Sequence, residues 1–202
     1  MQYHLNGYSS GDPNFFQTES QRPEPKELPE EVDVLIIGCG PAGLTLAAQL
    51  AQFSEIKTCI IDQKPGPLKI GQADGIACRT MEMFEAFGFS EKVLKESYWV
   101  NETTFWKPKI GEPVGITRSS KIRDTEEGLS EYPHVILNQA RVHDFYLEMM
   151  YNGASQVVPF YEQKLLDLKI DRSKELPVTV ILKSMDTRTP ASHKNIRARF
   201  VV

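Results

Sequence analysis

The stretch Val32-Asp33-Val34-Leu35-Ile36-Ile37-Gly38-Cys39-Gly40-Pro41-Ala42-Gly43 limits what this chain can fold into more than any other. Val34 to Ile37 is a short, apolar, β-branched run, the pattern of a parallel strand buried on both faces. Glycines follow in the order G-x-G-x-x-G at Gly38, Gly40 and Gly43. Gly38 suits a sharp turn, Gly40 lets a pyrophosphate approach the backbone, and Gly43 lets the next helix pack close to the strand. That helix is expected from Leu44, Ala47, Ala48 and Ala51, which recur at helical spacing and are small enough to lie tightly on a sheet. It should end near Phe53-Ser54. Free N–H groups at its start and the positive end of its dipole make an anion site that needs no cationic side chain. The ligand expected of such a strand, turn and helix is a dinucleotide.

A glycine pattern alone is a weak signal, so the next segment matters. Lys57-Thr58-Cys59-Ile60-Ile61-Asp62 reads as a second strand ending in a carboxylate. Asp62 lies about 24 positions past Gly38, close to the roughly 20 expected for an acid that binds a ribose hydroxyl.

A chain of 202 residues can bury a real hydrophobic core in one large or two small domains. Its formal net charge of −4, with no run of Lys or Arg, argues against nucleic acid as a partner. No apolar stretch approaches the roughly 18 residues of a membrane span, and no signal peptide is recognisable, so a cytoplasmic protein without a membrane partner is expected. Cys39, Cys59 and Cys78 lack C-x-x-C spacing and are expected to be reduced thiols packed as small hydrophobes. No metal site is expected.

Residues 1–31 are rich in Ser, Gly, Pro, Gln and Glu and show no apolar period, which predicts a flexible leader with the fold starting near Val32. After the second strand, Gln63 to Pro67 is a turn. Gly71-Gln72-Ala73-Asp74-Gly75 then leads through Cys78-Arg79-Thr80 into an amphipathic helix carrying Met83, Phe84 and Phe87, with Gly88 as its stop. The segment from Asn101 to Asp124 suggests a hairpin-like excursion, in which Trp106, like the nearby Trp99, is expected to pack. His134 to Leu137 reads as a short strand. Asn138 is a candidate N-cap for a helix with Val142, Phe145, Tyr146 and Met149 inward. Leu165–Ile170, Val178–Leu182 and Ile196–Val202 read as three antiparallel strands. The fold class expected is α/β: a Rossmann-like βαβ unit with a parallel sheet and an appended antiparallel β-meander.

Taken together, the glycine motif, the Gly71-Gln72-Ala73-Asp74-Gly75 loop running into Cys78-Arg79-Thr80, and Leu137-Asn138-Gln139-Ala140-Arg141 resemble the single-component FAD-dependent aromatic hydroxylases, in the branch of phenol 2-monooxygenase and 3-hydroxybenzoate 4-monooxygenase. The resemblance runs from about Val32 to Val202, and its Gln-Ala-Asp-Gly loop is far more discriminating than the glycines. It implies an FAD-binding domain in an enzyme that uses NADPH and O2 to hydroxylate a phenolic ring beside an existing hydroxyl. Electrophilic attack is easier on a phenolate, so the site needs a group to accept or relay the phenolic proton. By its match to the family's loop, that group is Asp74. The same resemblance implies that Gly38, Gly40, Pro41, Ala42 and Gly43 meet the FAD pyrophosphate, and that Asp62, Gln63 and Lys64 surround the adenosine ribose. Gly71 and Gln72 would border the flavin, Arg79 would set a positive charge near the pyrophosphate, and Gln139 with Arg141 would hydrogen-bond the cofactor near the flavin side. His134 and His143 match no site position.

The family continues into an Asp-Gly motif, a Gly-Asp motif, a substrate-covering sheet and a thioredoxin-like domain that this sequence does not contain. Residues 32–202 are therefore expected to be the N-terminal portion of an FAD-binding domain, from a full-length form able to make a homodimer. Two other readings stay open at this point: a truncated, non-catalytic FAD-binding or interaction module, and a nicotinamide-dependent Rossmann oxidoreductase. Asp74 in its loop argues against the second.

Overall fold

The computed structural model describes residues 27–111, 114–186 and 193–202. In chain order the elements are β1 (Glu31–Ile37), α1 (Pro41–Leu50), β2 (Thr58–Ile61), β3 (Gly75–Ile76), α2 (Cys78–Ala86), α3 (Ser90–Glu96) and β4 (Tyr98–Val100). They continue as β5 (Glu102–Pro108), β6 (Ile116–Arg123), β7 (His134–Ile136), α4 (Gln139–Asn152), β8 (Gln163–Ile170), β9 (Val178–Ser184) and β10 (His193–Val201). Two compact units result. Ile70–Gln139 forms one, and the described residues up to Lys69 together with Ala140–Val202 form the other. The expected leader lies outside the described residues as far as 26. Among the described residues no helix is long and apolar enough to cross a membrane.

The larger unit is built on a five-stranded sheet in the order β2-β1-β10-β9-β8. β1 has parallel partners on both sides, with Leu35 in register with Cys59 of β2 and Val201 of β10. The expected meander forms, and it joins the parallel part through β10, whose other edge is antiparallel to β9. Alternation along these strands does the burying: Val178, Val180 and Leu182 of β9 and Ile196 and Ala198 of β10 join Leu35 and Ile61 in one apolar cluster. Leu44, Ala47 and Ala48 are the buried stripe of α1. The helix stops at Leu50, before the Phe53-Ser54 end expected of it, because the chain tightens into hydrogen bonds from Gln52 N to Gln49 O and from Phe53 N to Leu50 O.

The buried face of α4 also differs from the expected one. Phe145 and Tyr146 are buried as predicted, but Val142 and Met149 are only half-buried, while Arg141, His143, Leu147 and Met150 are inside. Two contacts account for this phase. The Arg141 guanidinium carbon stacks 4.1 Å from the centre of the Phe145 ring, with its Nη1 3.8 Å from Asp144 Oδ2, so the buried charge has partners. The Tyr146 hydroxyl is hydrogen-bonded at 2.8 Å to the hydroxyl of Thr45 on α1.

The smaller unit carries an antiparallel sheet in the order β3-β7-β4 and, as predicted, a β5–β6 hairpin. Met81 and Phe84 fill the buried face of α2, with Met83 and Phe87 half-buried. Gly88, at φ +80°, ends that helix in the left-handed conformation that a glycine tolerates. Trp99 and Trp106, expected to pack, are 50% and 60% exposed. They sit in a three-residue strand and a two-stranded ribbon, and a ribbon has no second layer of its own to cover an aromatic ring.

Candidate cofactor site

The three glycines of the β1–α1 turn stand under different demands. Gly38 has φ +116°, a conformation a side chain would strain. A Cβ on Gly43 would lie 2.0 Å from the carbonyl oxygen of Gly38, so α1 reaches the turn only because residue 43 has none. At Gly40 neither demand applies: φ is −76°, and a Cβ would meet nothing within 4 Å. Neither the backbone conformation nor any described neighbour therefore demands a glycine there. Gly40 is the N-cap of α1 without a side-chain cap, Pro41 is the first helical residue, and no acid occupies the first turn. The N–H groups of Ala42 and Gly43 precede the first intrahelical bond, from Leu44 N to Gly40 O, and stand at the positive end of the helix. Bare N–H groups at a helix start are chemically suited to cradle a phosphate, so these residues fit the pyrophosphate of FAD.

Asp62 ties this cradle to the end of β2. It is 8% exposed, and its carboxylate accepts hydrogen bonds from the backbone N–H of Cys39 and of Lys64, each at 2.8 Å. The expected ribose acid is thus fixed directly against the glycine turn, with Gln63 and Lys64 exposed beside it. Gly38 N donates to Ile61 O at 2.8 Å, which completes the join. Burial, helped by the Asp62 charge, pushes the Cys39 thiol well above its ordinary range, and burial raises Cys59 from 9.0 to about 12. Both are packed thiols rather than nucleophiles, as expected.

In the smaller unit the Gly71–Gly75 loop and the segment His134–Gln139 form one antiparallel ribbon. Gly75 and Ile76 of β3 pair with Ile136 and Val135 of β7. The same register continues outward: Leu137 N donates to Asp74 O at 2.8 Å, and Gln72 N donates to Gln139 Oε1 at 3.0 Å. A Cβ on Gly71 would fall 2.4 Å from Cβ of Gln139, so glycine permits the closure. Gly71, Gln72, Asp74 and Gln139 are thereby brought together, with Asp74 half-buried. Arg79 is exposed in the first turn of α2, where a cation opposes the helix dipole unless an anion is near. Arg141, in the larger unit, is 4% exposed and so is no solvated helix-end cation.

The sequence reading passed over His134. Its Nε2 lies 3.2 Å from the place a Cβ of Gly75 would take, and its Nδ1 is hydrogen-bonded to Asp124 Oδ2. No spacing rule links residues 75, 124 and 134, so only the folded chain reveals the grouping.

Fold and cradle together define the class as a dinucleotide-binding α/β domain suited to a flavin nucleotide. The chain belongs to the family described as FAD binding domain, which matches residues 31–202. That membership decides for the flavin against the nicotinamide reading. The 3-hydroxybenzoate 4-monooxygenase of Comamonas testosteroni is 55% identical over 204 residues, covering 100% of this chain and 32% of that protein. A phenol 2-monooxygenase of Aspergillus fumigatus is 31% identical over 173 residues, covering 86% of this chain and 27% of that protein. This chain therefore spans about a third or less of the length of these curated relatives. Among solved structures, the flavin-dependent monooxygenase PieE in complex with FAD and substrate shares the fold, with a TM-score of 0.67 at 19% identity over 85% of this chain and 29% of that one.

Proposed function

We propose that this chain is the N-terminal, FAD-binding portion of a flavoprotein monooxygenase that hydroxylates a phenolic ring, with NADPH as reductant and O2 as co-substrate. The observation that carries the reading is the single ribbon in which Gly71–Gly75 and Leu137–Gln139 are closed on each other, with Asp74 between the two ends. An ordinary nucleotide-binding domain has no need of it. The names of the relatives above point to the same chemistry. Bound FAD supplies the redox and oxygen chemistry.

What remains for this chain is binding, orientation and one proton. Gly38, Gly40, Pro41, Ala42 and Gly43 receive the pyrophosphate, and the N–H groups of Ala42 and Gly43 meet its charge. Asp62, Gln63 and Lys64 take the adenosine ribose. Gly71, Gln72 and Gln139 border the flavin, while Arg79 and Arg141 add fixed positive charge to the cofactor site. Asp74 accepts the phenolic proton on a carboxylate oxygen, so that the ring reacts as the more electron-rich phenolate. The free thiols fit a reducing, cytoplasmic compartment, and the full-length form is proposed as a homodimer.

The test is Asp74→Asn in the FAD-loaded enzyme, following FAD content, NADPH oxidation and hydroxylated product. The expected outcome is wild-type FAD content with hydroxylation lowered about 100-fold, within the range that a positioned proton acceptor contributes. Unchanged hydroxylation at saturating phenol removes the role of Asp74.

A further inference from the structure

We propose that Asp124, acting through the imidazole of His134, is a positioning residue that fixes where Asp74 is held; the proposal rests on the reading above that Asp74 takes the phenolic proton. Gly75 supplies the first argument. Asp-Gly is ordinarily a turn pair, yet Gly75 lies in strand β3 and is not among the glycines with positive φ. Its backbone does not require glycine. The His134 ring instead crowds the space a side chain would need, with Nε2 3.2 Å and Cε1 3.9 Å from where the Cβ would be, so that a methyl group there would push the ring back by a few tenths of an ångström. The imidazole therefore rests against the backbone of the residue next to Asp74.

The ring is itself held. Asp124 Oδ2 is bonded to His134 Nδ1, its Oδ1 accepts from the Thr103 hydroxyl at 3.1 Å, and its N–H donates to Asn101 O at 3.1 Å. A carboxylate only accepts, so Nδ1 carries the hydrogen of this bond and the Nε2 edge of the ring is turned toward Gly75. The side chains are 28% and 18% exposed, which separates this pair from a solvated surface ion pair. The other end of the ribbon is closed by Gln139, through its bond from Gln72 and its approach to Gly71. Asp74 thus sits between a clamp at Gln139 and a clamp at His134. Release of the second leaves its carboxylate free to drift, and a misplacement of about 1 Å can cost on the order of 100-fold in rate.

The experiment uses the FAD-loaded full-length enzyme with Asp124→Ala, Asp124→Asn and Asp74→Asn, and 3-hydroxybenzoate as the probe. Hydrogen–deuterium exchange is measured over residues 71–77 and over the β1–α1 turn, beside kcat, KM and FAD content. We expect Asp124→Ala to speed exchange at 71–77 about tenfold, leave the β1–α1 turn unchanged, and lower kcat about 10- to 100-fold at wild-type FAD content with KM moved less than about threefold. Asp124→Asn keeps an oxygen for Nδ1–H and should recover most of both losses. Wild-type exchange at 71–77 in Asp124→Ala overturns the proposal. So does faster exchange with undiminished kcat, or loss of kcat only together with FAD. If Asp124→Ala does not fold, the proposal fails unless Asp124→Asn gives a smaller change of the same pattern. Hydroxylation by Asp74→Asn at the wild-type rate would instead remove the reading of Asp74, since exchange at 71–77 is measured independently of catalysis.

Discussion

Replacing Gly43 and Gly40 by alanine, one at a time, separates what the fold needs from what the ligand needs. The Cβ of Gly43→Ala would be 2.0 Å from Gly38 O, 3.2 Å from Ile36 Cγ2 and 3.3 Å from Gly38 C. Opening the first of these to a tolerable separation moves the start of α1 away from the turn by about 1 Å, and the obstacle is backbone rather than a side chain that can swing aside. Overpacking of this kind costs about 1–3 kcal/mol, and a rigid carbonyl puts the change near 3. At about 2–4 °C per kcal/mol for a domain of this size, the melting midpoint should fall by roughly 6–12 °C. FAD should also bind about 10- to 100-fold more weakly, the equivalent of one lost charge-assisted hydrogen bond at about 1.5–3 kcal/mol. Gly40→Ala should behave differently. Its φ of −76° and open surroundings accept a methyl group, so stability should change by less than about 1 kcal/mol, the gain in the unfolded state offsetting the poorer N-cap. Yet FAD affinity should drop at least tenfold, because the methyl occupies the approach of the pyrophosphate. Thermal melts of the apoprotein and FAD titration by flavin fluorescence read the two effects. A Gly40→Ala protein that binds FAD like wild type refutes the cradle; a Gly43→Ala protein that melts like wild type refutes the close helix–turn approach.

Asp62→Ala strands the buried Cys39 N–H and should cost about 1–3 kcal/mol beyond any loss of ribose binding, seen as a lower urea midpoint in the apoprotein; an unchanged midpoint would mean the bond contributes nothing net. Thiol titration of the native protein at pH 8 should label Cys78, which is half-exposed, well before the buried Cys39 and Cys59. Because burial raises Cys59 from 9.0 to about 12, the folded chain keeps a proton that the unfolded chain gives up. The stabilisation linked to that proton is whole below pH 9 and lost as pH climbs toward 12, so urea midpoints should decline over that window and a Cys59→Ala variant should show less decline. Gly71→Ala drives a Cβ to 2.4 Å from the Gln139 Cβ and should open the Gln72–Gln139 end of the ribbon, read as faster amide exchange at 71–72 with β1 unaffected.

The legible part of the fold is the part whose causes are local. β1, the glycine turn, α1, β2 and Asp62 carry their steric and hydrogen-bonding demands within about thirty residues, so residue type alone nearly specifies them. The place of β10 beside β1 is different in kind. Its period-2 pattern says that it is a strand, but pairing of Val34 with Phe200 is set by which edge is left to fill, and no local pattern carries that. The phase of α4 departs from the sequence expectation for a chemical reason: hydrophobicity assigns Arg141 and His143 to solvent, whereas Phe145 and Asp144 make burial of the guanidinium tolerable. Trp99 and Trp106 fail in the opposite direction, since an aromatic residue announces a wish to be covered and not whether its short edge strand or two-stranded ribbon has anything to cover it with. Gly75 joins the two cases. A glycine after Asp74 is visible in the sequence and invites the explanation of a turn, while in the structure the space beside it is narrowed by a histidine ring delivered from residue 134 and hydrogen-bonded to residue 124. Sequence thus locates where a side chain is missing; which atom crowds that space is a property of the folded chain, and at Gly75 that atom belongs to the residue the motifs left out.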